Sequence, residues 1–385
     1  MTQDGSPTIL MLAHDLSDAA VARRAAMLRA GGANVRLAGF RRAPEPIAAV
    51  AGIPASDLGR TYNAGFIRRI GAVLREVLRL RRRQGLFAGV DVILARNLEM
   101  LAIAARGQSL CDPKPPIVYE CLDIHRLLVR RNFIGGLLRA LEGWLAQRAA
   151  LLLTSSPAFV ENYFKPLSKV RLPVRLAENK LLDVDDVLPH VPARRPGPPW
   201  VIGWFGIIRC RKSLRLLSEL ARAGNGTVEV VIRGRPALDI FPDFERDIAG
   251  VPHLRFPGPY KNPGDLAAIY GGIHFNWAID MFEEGLNSSW LLPNRLYEGG
   301  AFGAVPIAEA SVETGRFAMH HKIGVTLAKP LAQSLAVFFA ELTPAHFVLY
   351  EQALRAMPRE TWVNDRGDCR ALVACLNSLR GAKHG

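Results

Sequence analysis

Trp200-Val201-Ile202-Gly203-Trp204-Phe205 is an apolar run that begins directly behind a stretch holding Pro189, Pro192, Pro196, Pro198 and Pro199. A short continuous apolar run reads as a strand buried on both faces, and the proline-rich stretch before it reads as a connector. Downstream, strands are expected over residues 228–232, 254–256, 273–277 and 304–308, with helices over 213–223, 265–270 and 293–299. Trp200 therefore starts a second sheet. The first opens at Thr8-Ile9-Leu10-Met11-Leu12-Ala13 and passes through the polar loop from His14 to Asp18. A helix over 19–30 follows, with Val21, Ala25 and Leu28 at helical spacing. Gly31-Gly32 ends it, and a strand over 35–40 completes a βαβ unit.

Further buried strands over 90–95, 116–119 and 151–154 each run into a polar loop. Repeated strand, loop and helix units predict a parallel doubly wound sheet, whose functional residues sit at the C-terminal strand ends. The expected architecture is α/β with two Rossmann-like domains facing a cleft. An N-terminal domain spans 1–182, a linker 183–199 and a C-terminal domain 200–350. Helices over 351–385 are expected to cross back to the N-terminal domain.

The 385 residues suit two domains of ordinary size. A hydrophobic fraction of 49% with 22% charged residues excludes wholesale disorder. Lys and Arg number 49 against 35 Asp and Glu, a net +14. Residues 1–190 hold 27 of the basic and 17 of the acidic residues, so +10 of the excess lies there and an anionic partner is expected on that half. The most apolar region, 137–154, is broken by Arg139, Glu142, Gln147 and Arg148 and does not read as a membrane span. Met1-Thr2-Gln3-Asp4-Gly5 lacks a basic region followed by an apolar run, which predicts cytoplasmic residence. Cys111, Cys121, Cys210, Cys369 and Cys375 are scattered without a CxxC and read as buried or incidental thiols.

No GxGxxG follows the first strand, and GxxxxGK[ST], HExxH and GxSxG are absent. Asp183-Val184-Asp185 has a metal-chelating spacing but lies in the connector without a preceding apolar strand, so it reads as solvated linker and no metal or other cofactor is expected. The stretch from Phe282 to Ala308 is the most informative for chemistry. It gives a loop of small polar residues, a helix opened by Pro293, a Gly299-Gly300 stop and a buried strand. The helix N-terminus suits a diphosphate, and Glu298, one turn in, suits ribose hydroxyls. The plain alternative leaves Glu298 solvating its helix face.

Pro293-Asn294-Arg295-Leu296-Tyr297-Glu298 followed by Gly303-Ala304-Val305-Pro306 resembles the nucleotide-sugar signature of the family 4 GT-B glycosyltransferases. Gly203-Trp204-Phe205-Gly206-Ile207-Ile208-Arg209-Cys210-Arg211-Lys212 is similar to that family's glycine-containing loop and basic pair. The resemblance implies donor contacts from Gly206, Arg211, Arg233, Asn287, Ser288, Asn294 and Glu298. It implies catalytic roles for Arg209 and Lys212, which would neutralise a departing diphosphate without a metal. Eight positions before Glu298, where the family carries a second glutamate beside the donor sugar, stands Trp290, with Glu283 and Glu284 nearby.

In the first half, Tyr119-Glu120-Cys121-Leu122-Asp123, Leu141-Glu142, Ala149-Ala150 and Ser155-Ser156 are similar to a bacterial subset that includes succinoglycan-type exopolysaccharide transferases. Asp123 is then placed to take the acceptor hydroxyl proton in an inverting enzyme, its rival role being the cap of the following helix. His14, Asp18 and His125 are weaker acceptor-side readings. Arg68, Arg69, Arg75, Arg79, Arg81, Arg82 and Arg83 are interleaved with apolar residues from Phe66 to Leu80, which predicts an amphipathic helix on an anionic surface. Arg75, Arg79, Arg82 and Arg83 are its expected membrane contacts. A second such segment is expected over 125–138.

These readings predict a transferase that moves a hexose from a nucleotide diphosphate sugar, a UDP-sugar by expectation, to a growing oligosaccharide. The resemblance implies an acceptor on a polyprenyl diphosphate at the inner face of the membrane. Two alternatives stay open: a UDP-sugar epimerase of similar architecture and a polyanion-binding protein. No nucleic-acid motif accompanies the arginines, so nucleic acid is not an expected partner.

Overall fold

A computed structural model describes residues 5–61 and 66–381, the side chains of 66–69 excepted. The sequence readings of Phe66, Ile67, Arg68 and Arg69, and of residues 1–4, lie outside the described parts. The chain divides into two units. One is formed by the chain up to Glu178, Leu182–Asp185 and the segment from Asn364 onward; the other by Asn179–Leu181 and Asp186–Val363.

The first unit opens with β1 (Thr8–Ala13), α1 (Ala19–Ala30), β2 (Asn34–Arg41), β3 (Ala49–Val50) and β4 (Ile53–Arg60). It continues through α2 (Phe66–Arg79), β5 (Val92–Arg96), α3 (Asn97–Gln108), β6 (Ile117–Cys121), α4 (Arg126–Val129), α5 (Phe133–Ala146), β7 (Ala149–Thr154), α6 (Pro157–Phe159) and β8 (Val174–Leu176). Its sheet runs β3-β4-β2-β1-β5-β6-β7-β8, parallel except for β3 on β4. Ile9 faces Val35 on one side and Val92 on the other, so strand order reverses between β1 and β5. β9 (Leu181–Leu182) lies where the chain passes between units.

The second unit comprises β10 (Trp200–Ile208), α7 (Arg211–Ala223), β11 (Val228–Pro236), α8 (Phe244–Ile248), β12 (Leu254–Arg255), α9 (Leu266–Gly271) and β13 (Phe275–Trp277). It goes on through α10 (Asn287–Trp290), α11 (Asn294–Ala301), β14 (Val305–Glu309), α12 (Glu313–His321), β15 (Val325–Leu327), α13 (Leu331–Glu341) and α14 (Pro344–Arg355). Its all-parallel sheet runs β12-β11-β10-β13-β14-β15, with the reversal between β10 and β13. Gly234 pairs in register with Gly206, and a Cβ on it would lie 1.8 Å from the Gly206 carbonyl oxygen; both hold positive φ, +137° and +115°.

β16 (Val363–Asn364) precedes α15 (Arg366–Ser378), which is opened by an Asp365–Asp368 capping box. Cys369, Leu372, Val373 and Leu376 join the core of the first unit beside Val21, Ala25 and Leu28. The expected linker is less simple than its prolines suggest. Asp183 is buried rather than solvated, its N–H donating to the Asn364 carbonyl, and Asp185 pairs with Arg366 at 2.6 Å. Arg194 is buried in the second unit. It pairs with Glu351 at 3.1 Å and donates to the carbonyls of Ile273, Gly303, Tyr270 and Phe302. Buried charge is tolerated there because each N–H finds an acceptor.

The five cysteines are free thiols. Among the described residues, no single helix is long and apolar enough to cross a membrane, and no cluster of three metal-ligating side chains forms.

Candidate functional site

In doubly wound sheets the loops at the reversal of strand order splay apart and leave a crevice at the C-terminal strand ends. In the second unit Arg209 follows β10 and Asp280 follows β13, and the two side chains meet at 3.1 Å. Asp280 also accepts the Phe282 N–H at 2.9 Å and the Ser288 hydroxyl at 3.0 Å, and has Arg295 at 3.7 Å. Burial alone would raise its pKa, but Arg295 and Arg209 outweigh that and hold the carboxyl below its ordinary value. The Arg209 guanidinium lies 4.9 Å from the centre of the Phe282 ring.

Lys212, in the first turn of α7, donates to Glu284. Lys329, beyond β15, reaches the other Glu284 oxygen at 2.7 Å and Glu309 at 3.3 Å. The bonds from Lys212 and Lys329 hold the Glu284 carboxyl below its ordinary pKa. Glu283 is anchored apart from this pair, its N–H donating to the Ser288 hydroxyl at 2.9 Å. Trp290, where the family's second glutamate was expected, ends α10. Glu284 is thus the acid that Lys212 and Lys329 share.

Glu298 is only 3% exposed, which removes the solvated alternative. Its carboxylate accepts from Asn262 Nδ2 and from the Tyr270 hydroxyl, each at 3.0 Å. Burial and the neighbouring Glu298 push the Tyr270 phenol well above its ordinary pKa, so Tyr270 remains a donor. Asn294 is the first residue of α11, Asn287 and Ser288 are buried in α10, and Arg233 donates to the Pro259 carbonyl at 2.9 Å. The Nε atoms of Arg233 and Arg295 are buried with no hydrogen-bond partner. Arg295 lies in the first turn of α11, at the positive end of that helix.

Two sequence readings in this unit change. Gly299 and Gly300 lie inside α11 rather than stopping it; Cβ atoms there would come within 2.4 Å of Asn276 and 2.3 Å of Trp362. Close packing, not termination, requires them. Arg211, expected on the donor, donates to the Ile240 carbonyl and lies 4.8 Å from the centre of the Phe241 ring. Tyr270, Asn262, Asp280, Arg295 and Lys329 were missed. Asp280 and Lys329 had one legible sign, a charged residue just beyond a buried strand.

In the first unit the reversal lies between His14, after β1, and Asn97, the first residue of α3 after β5. Asn97 Nδ2 and His14 Nδ1 are 3.4 Å apart. Burial lowers the His14 pKa, so the imidazole is neutral at pH 7. Asp123 is exposed in the loop after β6, and both Asp123 and His125 border the cavity that His14 lines. His125, not Asp123, caps α4, its Nδ1 accepting the Leu127 N–H at 3.3 Å. Asp18 caps α1 by accepting the Ala20 N–H at 2.9 Å, so its carboxylate has a structural role where an acceptor contact was expected.

Beneath this loop cluster Glu120 is buried between Arg24 and Arg96, with both ion pairs at 2.7 Å. On α2, Arg75 and Arg79 are exposed, and so is Arg82 just beyond it. Arg83 pairs with Glu76 at 3.2 Å and donates to the Asp57 carbonyl at 3.1 Å, its side chain staying 39% exposed. The second amphipathic segment breaks into α4 and α5. Arg139 on α5 is consumed by the Leu128 and Arg130 carbonyls, each at 2.7 Å, while Phe133, Ile134 and Leu137 stay exposed.

No protein-family model matches the chain. It is 50% identical over 376 residues to the succinoglycan biosynthesis protein ExoL of Rhizobium meliloti, covering 96% of this chain and 93% of that protein. The chain belongs to the ExoL family. The fold of this ExoL relative is GT-B, as its structural neighbours show. Anabaena HepE in complex with UDP and glucose superposes with a TM-score of 0.65 at 15% identity, covering 97% of this chain and all of that one (100%). Sucrose-phosphate synthase from Thermosynechococcus elongatus gives 0.65 at 13% identity, with 97% of each chain covered. The lipopolysaccharide outer core galactosyltransferase WaaB gives 0.54 at 12%. ExoL family membership and this fold make the protein a glycosyltransferase of exopolysaccharide biosynthesis. They support neither the epimerase nor the polyanion-binding alternative.

Proposed function

We propose that the protein transfers a hexosyl group from a UDP-sugar to a lipid-linked oligosaccharide, as a peripheral protein on the inner face of the cell membrane. The observation that carries this reading is the Glu298 carboxylate, buried and fixed by Asn262 and Tyr270 at the α11 end of a crevice that also holds Arg209, Lys212 and Lys329. A carboxylate that only accepts hydrogen bonds suits a ribose diol, and a cationic wall suits a diphosphate. In this reading Arg209 and Lys212 stabilise the charge that builds on the leaving UDP, Arg233, Asn287, Ser288 and Asn294 contact the donor, and Gly206 leaves room for it. No metal is assigned to the step. That HepE has been solved with UDP and with UDP-glucose supports the choice of nucleotide.

On the acceptor side, Asp123 takes the proton of the attacking hydroxyl, with His14 and His125 beside it. Arg75, Arg79 and Arg82 meet the anionic membrane surface. A binding survey against UDP-, GDP- and ADP-sugars tests the donor: preference for a UDP-sugar is expected, and tighter binding of GDP- or ADP-sugars overturns that assignment. Incubation of the preferred donor with membrane lipid extract then reads out transfer of labelled sugar to the organic phase.

A further inference from the structure

The first unit holds a cavity of about 540 Å³ enclosed by α2, α3 and α5. Its size falls in the roughly 300–1,000 Å³ range of ordinary ligand pockets. The walls are apolar: Val73 and Val77 come from α2, Ala102 and Ala105 from α3, and Leu138 and Leu145 from α5. Asp123, His125 and His14 border the same cavity, so it adjoins the acceptor-side loops. Other lining residues open outward. Leu74 on α2 is 57% exposed and Trp144 on α5 is 53% exposed, and the same two helices expose Leu78 at 81% and Phe133 at 85%.

An apolar cavity flanked by exposed apolar side chains calls for an apolar partner. The charge around it narrows the choice. Arg42, Arg106 and Arg148 outnumber Glu99 and Asp123 among the charged lining residues, the Arg148 guanidinium lying 4.5 Å from the centre of the Trp144 ring, and Arg75, Arg79 and Arg82 are exposed nearby along the chain. A cationic rim repels a second copy of the same face and attracts an apolar chain that carries an anion. We propose that this cavity takes the hydrocarbon chain of the lipid-linked acceptor, leading it between α2 and α5 with its phosphates at the arginines and its sugar toward Asp123. The inference rests on the lipid-linked acceptor of the proposed function and adds the site that holds the lipid.

The test is calorimetric titration of the full chain with geranylgeranyl diphosphate, and with inorganic diphosphate and phosphatidylglycerol vesicles as separate arms. UDP is titrated in parallel. Geranylgeranyl diphosphate is expected to bind at least about tenfold more tightly than inorganic diphosphate, a difference of about 1.4 kcal/mol. Ala102→Trp, which fills the cavity, and Leu74→Glu, which charges its exposed lip, should each abolish that preference with UDP binding unchanged. Leu74 is already exposed, so its variant is expected to fold even where Ala102→Trp does not. Equal affinity for the two diphosphates, or full competition by phosphatidylglycerol vesicles, overturns the proposal. Neither readout requires transfer, so loss of the lipid-linked acceptor reading registers separately, as failure of sugar to enter the lipid extract.

Discussion

Arg209 and Asp280 pair at 3.1 Å across the point where the strand order of the second sheet reverses. Asp280 carries the wrong charge to bind a diphosphate, yet it gathers Arg209, Arg295 and Ser288 and remains ionised among them. Its role is to position cations. Asp280→Asn is expected to lower kcat/KM by about 10²-fold, the scale of an ångström-sized misplacement in a reacting site. Steady-state kinetics with a UDP-sugar check this, and unchanged kcat/KM would show that Arg209 and Arg295 do not depend on it.

Glu298→Ala removes the acceptor that Asn262 and Tyr270 orient. UDP affinity should fall about tenfold or more, which corresponds to about 1.4 kcal/mol. Tyr270→Phe should produce a smaller loss in the same direction, because Asn262 still holds one oxygen. Calorimetric titration with UDP and with uridine locates the loss on the nucleoside.

Lys212→Met should reduce kcat by about 10²–10³-fold, the usual effect of removing one group that stabilises transition-state charge. Glu284→Gln should tighten binding of inorganic diphosphate, because Glu284 is the anion that Lys212 and Lys329 already hold. Single-turnover rates and diphosphate titrations separate the two effects.

Asp123→Asn should lower kcat by about 10²–10⁴-fold if the carboxylate takes the acceptor proton, with UDP affinity unchanged. Single-turnover rates measured beside UDP titrations separate loss of proton transfer from loss of donor binding. Since His125 caps α4, this substitution leaves the helix cap intact.

Glu120→Gln tests the framework under the acceptor loops. Arg24 and Arg96 would stay buried without their counter-charge, a loss of about 3–5 kcal/mol. Burial would raise the Glu120 pKa, but Arg96 and Arg24 outweigh it and leave it below its ordinary value of 4.5. A lowered folded-state pKa contributes stability above pH 4.5 that disappears as pH falls through the folded-state value. Urea unfolding of the wild type should lose this contribution below pH 4.5, and the variant should lack that acid-dependent component.

The sequence by itself determined the local pieces. The expected β1 and α1 bounds match the structure at Thr8–Ala13 and Ala19–Ala30, because a buried strand and an amphipathic helix leave short-range marks such as the apolar run and the Gly31-Gly32 stop. The restart at Trp200 was legible for the same reason, and so was Glu298 within its helix. Side-chain destinations were not legible. Whether Arg83 is left to a membrane or donates to the Asp57 carbonyl, and whether Gly300 stops a helix or admits Trp362, is decided by residues far along the chain. Trp200, Arg209 and Lys212 were readable as an apolar strand running into basic residues. Only the tertiary structure brought Asp280 and Glu284 to those residues, because parallel strands return each loop to the same edge of the sheet after a long crossover. Burial and ion pairing depend on that return, and periodicity along the chain does not encode it.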